Sequence, residues 1–147
     1  MSRAGAPAVA AQAMTWVGTP YCHQASFRGV GADCLGLVRG VWRELRGAEA
    51  AEVPAYGQDW AESGAAGLLV AGLERCLARL PLAEEAAGDV LLFRLRPGGP
   101  GKHLGIQTAC GEAARFVHAY SGHGVVESAL TPPWRRRLMA RFAFPPV

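Results

Sequence analysis

Apolar residues recur at steps of three and four along one stretch of this chain: Cys34, Leu37, Val38, Val41, Trp42 and Leu45. That spacing predicts an amphipathic helix running to about Arg46, with one face turned to a core. Asp33 precedes it with a side chain suited to an N-cap, and Gly47 stands where a left-handed residue closes a helix. Weaker helical spacing predicts a first helix over 4–17, ended by Gly18-Thr19-Pro20, and a further one over 68–80, closed by Pro81. Residues 21–32 read as a glycine-containing loop, and 52–60 as a loop around Pro54 and Gly57.

The pattern changes after residue 88. Gly88-Asp89 opens the apolar run 90–95, which predicts a strand, and a glycine- and proline-rich loop follows over 97–101. Short strands are expected over 103–109, 114–120 and 124–129, with a last one over 137–144. Helices first and strands second predict an α+β fold, with N-terminal helices packed on an antiparallel sheet. With 147 residues, no repeat and no low-complexity linker, the chain reads as one domain over 1–147.

Composition narrows the function only slightly. Hydrophobic residues make up 50% and charged residues 18%, which suits a globular chain and excludes a disordered one. A net charge of +3, with a pI near 8.9, is too weak to predict a nucleic-acid partner. No apolar run reaches the length of a membrane span, so no membrane insertion is expected. The alanine-rich start lacks the strong apolar run of a signal peptide, so synthesis in the cytoplasm without a leader is expected. Cys22, Cys34, Cys76 and Cys110 have no framework spacing, and reduced thiols are the expectation.

Cys34 is where chemistry enters. It opens the helix capped by Asp33, and a helix N-terminus favours the thiolate, the reactive form of cysteine. A histidine must take the thiol proton, and a further polar group must orient that histidine. Two distant histidines qualify, His103 in His-Leu-Gly-Ile and His118 in Phe-Val-His-Ala-Tyr. If 103–109 and 112–118 form a hairpin around Cys110-Gly111, His103 pairs with His118 on one sheet face. A loop one or two residues longer turns that pairing into a diagonal contact. Whether the N-terminus of the Cys34 helix packs against that face lies beyond sequence physics.

Five segments, in order, resemble a known family: Trp16-Val17-Gly18-Thr19-Pro20-Tyr21, Gly31-Ala32-Asp33-Cys34-Leu35-Gly36-Leu37, Gly88-Asp89-Val90-Leu91-Leu92-Phe93, His103-Leu104-Gly105-Ile106 and Phe116-Val117-His118-Ala119. They are similar to NlpC-type bacterial cell-wall cysteine peptidases, compact relatives of the papain fold, over about residues 10 to 130. Within that family the pattern looks most like the cell-wall peptidases of phage tails and gene transfer agents. The resemblance implies cleavage of peptidoglycan stem peptides after D-glutamate, at its γ-linked bond to a diamino acid. It casts Cys34 as nucleophile, His103 as general base and acid, and His118 as the third polar residue. Tyr21 matches a tyrosine that helps bind substrate or the oxyanion, and the Cys34 backbone N–H is a candidate oxyanion donor. Leu35 departs from the serine many members carry there, which bears on substrate choice. The implied partners are peptidoglycan stems and the tail or baseplate proteins of a phage-like particle, and the implied place of action is the target cell wall in the periplasm.

Plainer readings stand beside these. Cys34 and His118 could be core residues, His103 a surface imidazole, and Tyr21 a packing residue at a turn. Asp33 is first a cap, with orientation of a substrate amine as its second reading. Cys22-His23, Cys34, His103 and Cys110 lack the paired spacing of a zinc site, so neither metal nor cofactor is expected. His23 and His123 read as exposed, Arg135-Arg136-Arg137 as a solvated patch, and Trp134 as a core residue before a docking anchor. The competing functions are a Cys-His amidase or acyltransferase, and a non-enzymatic tail-tip or adaptor protein that keeps the fold.

Overall fold

In the computed structural model, which describes residues 6–47 and 66–145, helix α2 (Cys34–Arg46) forms where the apolar spacing places it. The loop expected over 52–60, and the first two residues of the helix expected over 4–17, lie outside the described residues. Asp33 caps α2 by accepting the Gly36 N–H at 2.7 Å. Gly47 ends it at φ 80°, its N–H bonded to the Arg43 carbonyl. Leu37, Val38 and Val41 are buried, with Trp42 and Leu45 packed at the edge of the same core.

Helix α1 (Ala6–Met14) buries Ala6, Val9, Ala10 and Ala13 and leads to Trp16, which is wholly buried. A Cβ built on Gly40 of α2 would lie 2.2 Å from the Trp16 ring, so glycine is what lets the indole reach the helix backbone. The Trp16 Nε1–H donates to Glu44 of α2 at 2.7 Å, which fixes the ring from its polar edge.

The region 21–32 contains a small hairpin where a plain loop was expected. β1 (Ser26–Phe27) pairs antiparallel with β2 (Gly31–Ala32). Strands of two residues carry no readable period, so the sequence gives no sign of them. Helix α3 (Ala66–Cys76) ends four residues before the predicted boundary, and β3 (Ala78–Leu80) follows it. β3 takes its hydrogen bonds from the last strand of the chain, and that tertiary pairing overrides the helical spacing up to Leu80.

The main sheet has six antiparallel strands in the order β3-β8-β4-β5-β6-β7. Its later members are β4 (Val90–Arg94), β5 (Gly101–Ala109), β6 (Arg115–Tyr120), β7 (Gly124–Ala129) and β8 (Leu138–Ala143). One face, with Val90, Leu92, Leu104, Ile106, Val117 and Phe142, packs on α1, α2 and α3. The other face carries a smaller cluster, Leu91, Phe93, Ala114, Phe116 and Leu130, with Trp134 and Leu138 against it. Trp134 sits on α4 (Pro132–Arg137), a short helix that the sequence reading does not predict, and none of its three arginines is buried, in keeping with the solvated patch expected there. Proline in its first turn, after Thr131, is a start signal that was present in the sequence. The α+β class, with helices on an antiparallel sheet, is as the sequence predicts.

Candidate active site

The β5–β6 connection decides how the two histidines meet. It is longer than a two-residue turn, with a 3₁₀ turn at Gly111–Ala113 and a register shift between Gln107 and Ala109. Ile106 pairs with Val117 and Gln107 with Phe116, so His103 and His118 are diagonal neighbours and not direct partners. They still touch: His103 Nε2 and His118 Nδ1 share a hydrogen bond of 2.8 Å. The His118 Nε2 lies 2.9 Å from the Ser128 hydroxyl on β7. Both imidazoles are buried.

Pairing between β5 and β6 covers Ile106 to Ala109 on the first strand and Arg115 to Val117 on the second. Before Ile106, β5 is hydrogen-bonded to β4 alone among the described ladders. The N-terminus of α2 meets the sheet at that splay. Cys34 Sγ lies 3.8 Å from the Lys102 carbonyl oxygen, and the Leu104 N–H is turned on the same sulfur. Sequence physics left open whether α2 docks on the face of the histidines: it packs on the opposite face, with Leu104, Ile106 and Val117, and its N-terminus reaches His103 only through this gap at the start of β5.

A cavity of about 250 Å³ opens here, lined by Cys34, His103, Tyr21, Asp33, His23 and Lys102 among others. The four residues predicted for chemistry or substrate contact at this point, Cys34, His103, Tyr21 and Asp33, therefore line one cavity. His118 stands behind His103, away from the cavity lining. His23, expected to be exposed, is instead partly buried at the cavity with Nδ1 3.8 Å from the Asp33 carboxylate. It is there because residues 21–25 fold back beside the helix cap: the Gln24 N–H donates to Asp33 at 2.7 Å. His123 is exposed and stacks on Tyr120.

Electrostatics set the resting protonation. Burial, then the Asp33 carboxylate, push the Cys34 thiol up to about 12, although the N–H groups of Leu104, Leu35 and Cys34 pull the other way. The helix N-terminus therefore does not by itself make a thiolate here. Burial, then His118, hold His103 down at about 3, and burial, then His123, hold His118 at about 4. Near neutral pH the site rests as a thiol beside two neutral imidazoles. Burial, with Asp33 and Cys34 nearby, also raises the Tyr21 phenol, so it keeps its proton for donation. Asp33 has both oxygens engaged by backbone N–H groups, those of Gly36 and Gln24.

Two residues to which the sequence reading gives no part in the site complete the surroundings. Trp134 stacks on His103, with ring centroids 5.7 Å apart at 29°, and meets His118 edge-on at 5.3 Å. It shields the histidine pair from solvent, a role nearer to core than to docking anchor. Ser128 ends the chain of polar contacts, and only the strand register, which the sequence does not fix, could have pointed to it.

No family model matches the sequence, and no curated protein matches it. Solved structures do match. The NlpC/p60 domain of the peptidoglycan hydrolase SagA superposes with a TM-score of 0.64 at 22% identity, covering 93% of this chain and 97% of that one. An NlpC/P60 family protein of Bacillus cereus gives 0.64 at 17% identity over 99% of this chain and 42% of that one. A Staphylococcus aureus protein described as similar to lipoprotein, NLP/P60 family, gives 0.59 at 20% identity over 92% of this chain. The chain spans 40% of the length of that last protein. The fold of this chain is thus that of NlpC/p60 domains, the papain-like fold that its five ordered motifs imply.

Proposed function

We propose that this protein is a cysteine peptidase that hydrolyses the peptide stems of peptidoglycan. The observation that carries the reading is the convergence of Cys34, at the N-terminus of α2, with His103, itself hydrogen-bonded to His118, at one cavity of an NlpC/p60 fold. That the SagA domain comes from a peptidoglycan hydrolase supports the substrate class.

Catalysis follows from the protonation at rest. His103 has Nε2 engaged with His118, which leaves Nδ1 to serve the thiol. As the substrate carbonyl arrives, Cys34 gives its proton to His103 Nδ1 and the sulfur–carbon bond forms. Backbone N–H groups at the start of α2 receive the negative charge on the carbonyl oxygen, with the Tyr21 hydroxyl as a further donor. His103 returns the proton to the departing amine as the carbon–nitrogen bond breaks, leaving a thioester. Water then loses a proton to His103, attacks the thioester and releases the acid, and Cys34 recovers its proton.

The finer reading is scission of the γ-D-glutamyl bond to the diamino acid, by an enzyme carried on the tail of a phage-like particle and acting on the target wall. Its support is the likeness of the motifs to that group of peptidases. Digestion of purified stem peptides by the parent and by Cys34→Ala, with products read by mass spectrometry, tests the activity. Cleavage by the parent alone is expected, with product masses that identify the bond. Turnover retained in Cys34→Ala overturns the reading.

A further inference from the structure

His118 can orient His103 in two opposite ways, and only one of them makes a base. In the first, the His103 Nε2–H donates to His118 Nδ1, and the His118 Nε2–H must then find an acceptor. The His103 Nδ1 keeps its lone pair and can take the Cys34 proton. In the second, the His118 Nδ1–H donates to His103 Nε2. The proton of His103 then sits on Nδ1, the nitrogen that the first arrangement leaves free to take the thiol proton, and no base is present. The group beyond His118 Nε2 decides between them. That group is Ser128, 2.9 Å away on β7.

We propose that Ser128 is a positioning residue of the Cys34–His103 couple. Its hydroxyl accepts the His118 Nε2–H and holds His118 in the tautomer that lets His103 act as base. The inference rests on the reading of Cys34 and His103 as nucleophile and base.

The placement of Ser128 suits acceptance over donation. β7 is the edge strand of the sheet, and Ser128 pairs with Phe116 while His118 pairs with Val126, so serine and histidine are diagonal neighbours. Ser128 is half-buried, so its own proton can turn to water while its oxygen faces the imidazole. His118, by contrast, is wholly buried and has no such freedom. Without the hydroxyl, the base-forming tautomer leaves an N–H donor buried and unmet, whereas the other leaves only a lone pair unmet. Buried orphan donors are the rarer and costlier defect. Loss of the hydroxyl therefore tips the pair toward the tautomer that has no base.

The titratable groups facing His118 are His103 from β5, Tyr120 on its own strand and His123 from the β6–β7 turn. Phe116 and Trp134 fill the rest of its surroundings without charge.

Ser128→Thr and Ser128→Val test the idea, since they match in shape and differ in the hydroxyl. Two readouts need no substrate: the pH profile of Cys34 alkylation by iodoacetamide, followed on the Cys34 peptide by mass spectrometry, and the ¹⁵N shifts of the His118 ring. In Ser128→Val, alkylation near neutral pH is expected to slow roughly tenfold, the weight of one neutral hydrogen bond on the tautomer balance. The His118 proton is expected to move from Nε2 to Nδ1. Ser128→Thr is expected to retain the parent rate and shifts, with kcat for stem-peptide hydrolysis following the same order. Parent-like alkylation and shifts in Ser128→Val overturn the proposal, even if hydrolysis is confirmed. Failure of hydrolysis in the parent would remove the peptidoglycan reading and leave these two readouts intact.

Discussion

At the scale of single residues, the buried histidines tie stability to pH. His103 and His118 titrate at about 3 and about 4 in the folded chain, both lowered from 6.5 chiefly by burial. The unfolded chain binds these protons at higher pH, so their contribution is complete above about 6.5 and is lost as pH falls through 4 and 3. Each histidine adds ~1.4 kcal/mol of lost stability per pH unit, His103 from about 6.5 down to about 3 and His118 down to about 4. In His118→Asn the slope of unfolding free energy against pH between about 6.5 and about 4 is expected to flatten by one proton. Urea titrations across that range measure it, and an unchanged slope would mean that His118 is charged in the folded protein. The same residues show what the sequence could tell. Cys34, His103 and His118 were legible by type and order. Their protonation was not, because desolvation depends on what the fold lays over them.

At the scale of elements, the strongly periodic segment was the most legible. α2 occupies its predicted span because its cap, apolar face and closing glycine agree. β3, the β1–β2 hairpin and α4 were missed or misread, since each is six residues or fewer and draws its stability from neighbours rather than from its own pattern. The two-residue hairpin loop assumed between β5 and β6 was also too short, because a 3₁₀ turn and a register shift lie there. The diagonal contact foreseen for a longer loop is the one formed. Two glycines in helices give a test of packing against propensity. Alanine at Gly40 would meet the buried Trp16 ring at 2.2 Å, whereas at Gly72 of α3 the nearest atom is the end of Arg75 at 3.9 Å. Gly72→Ala is expected to stabilise by up to about 1 kcal/mol through helix propensity. Gly40→Ala gains the same propensity but is expected to lose ~1–3 kcal/mol net of it through overpacking. Thermal melts of the two variants should move in opposite directions, and parent-like stability in Gly40→Ala would show that Trp16 can yield.

At the scale of the molecule, one buried ion pair joins both ends of the sheet's construction. Arg141 on β8 is wholly buried and donates to Asp89, just before β4, at 2.7 Å. It also donates to Gln107 on β5 at 2.5 Å and to the Leu82 carbonyl at 3.1 Å. Gln107 in turn donates to Glu85 at 2.7 Å, and Arg135 of α4 reaches both Glu85 and the Gly111 carbonyl. The network thus runs from the strand core to the helix that lays Trp134 over the histidines. Nothing in the local pattern announced it, because its members are spread over 82–141 and meet only when β8 inserts between β3 and β4. A buried pair gains little over an apolar pair, but losing one partner strands the other charge. Asp89→Ala is therefore expected to cost ~3–5 kcal/mol, and Asp89→Ala with Arg141→Met to be more stable than Asp89→Ala alone. Denaturant unfolding of the three proteins measures the difference. A single variant within about 1 kcal/mol of the parent would mean that Arg141 finds water or another partner, and that α4 is anchored without this pair.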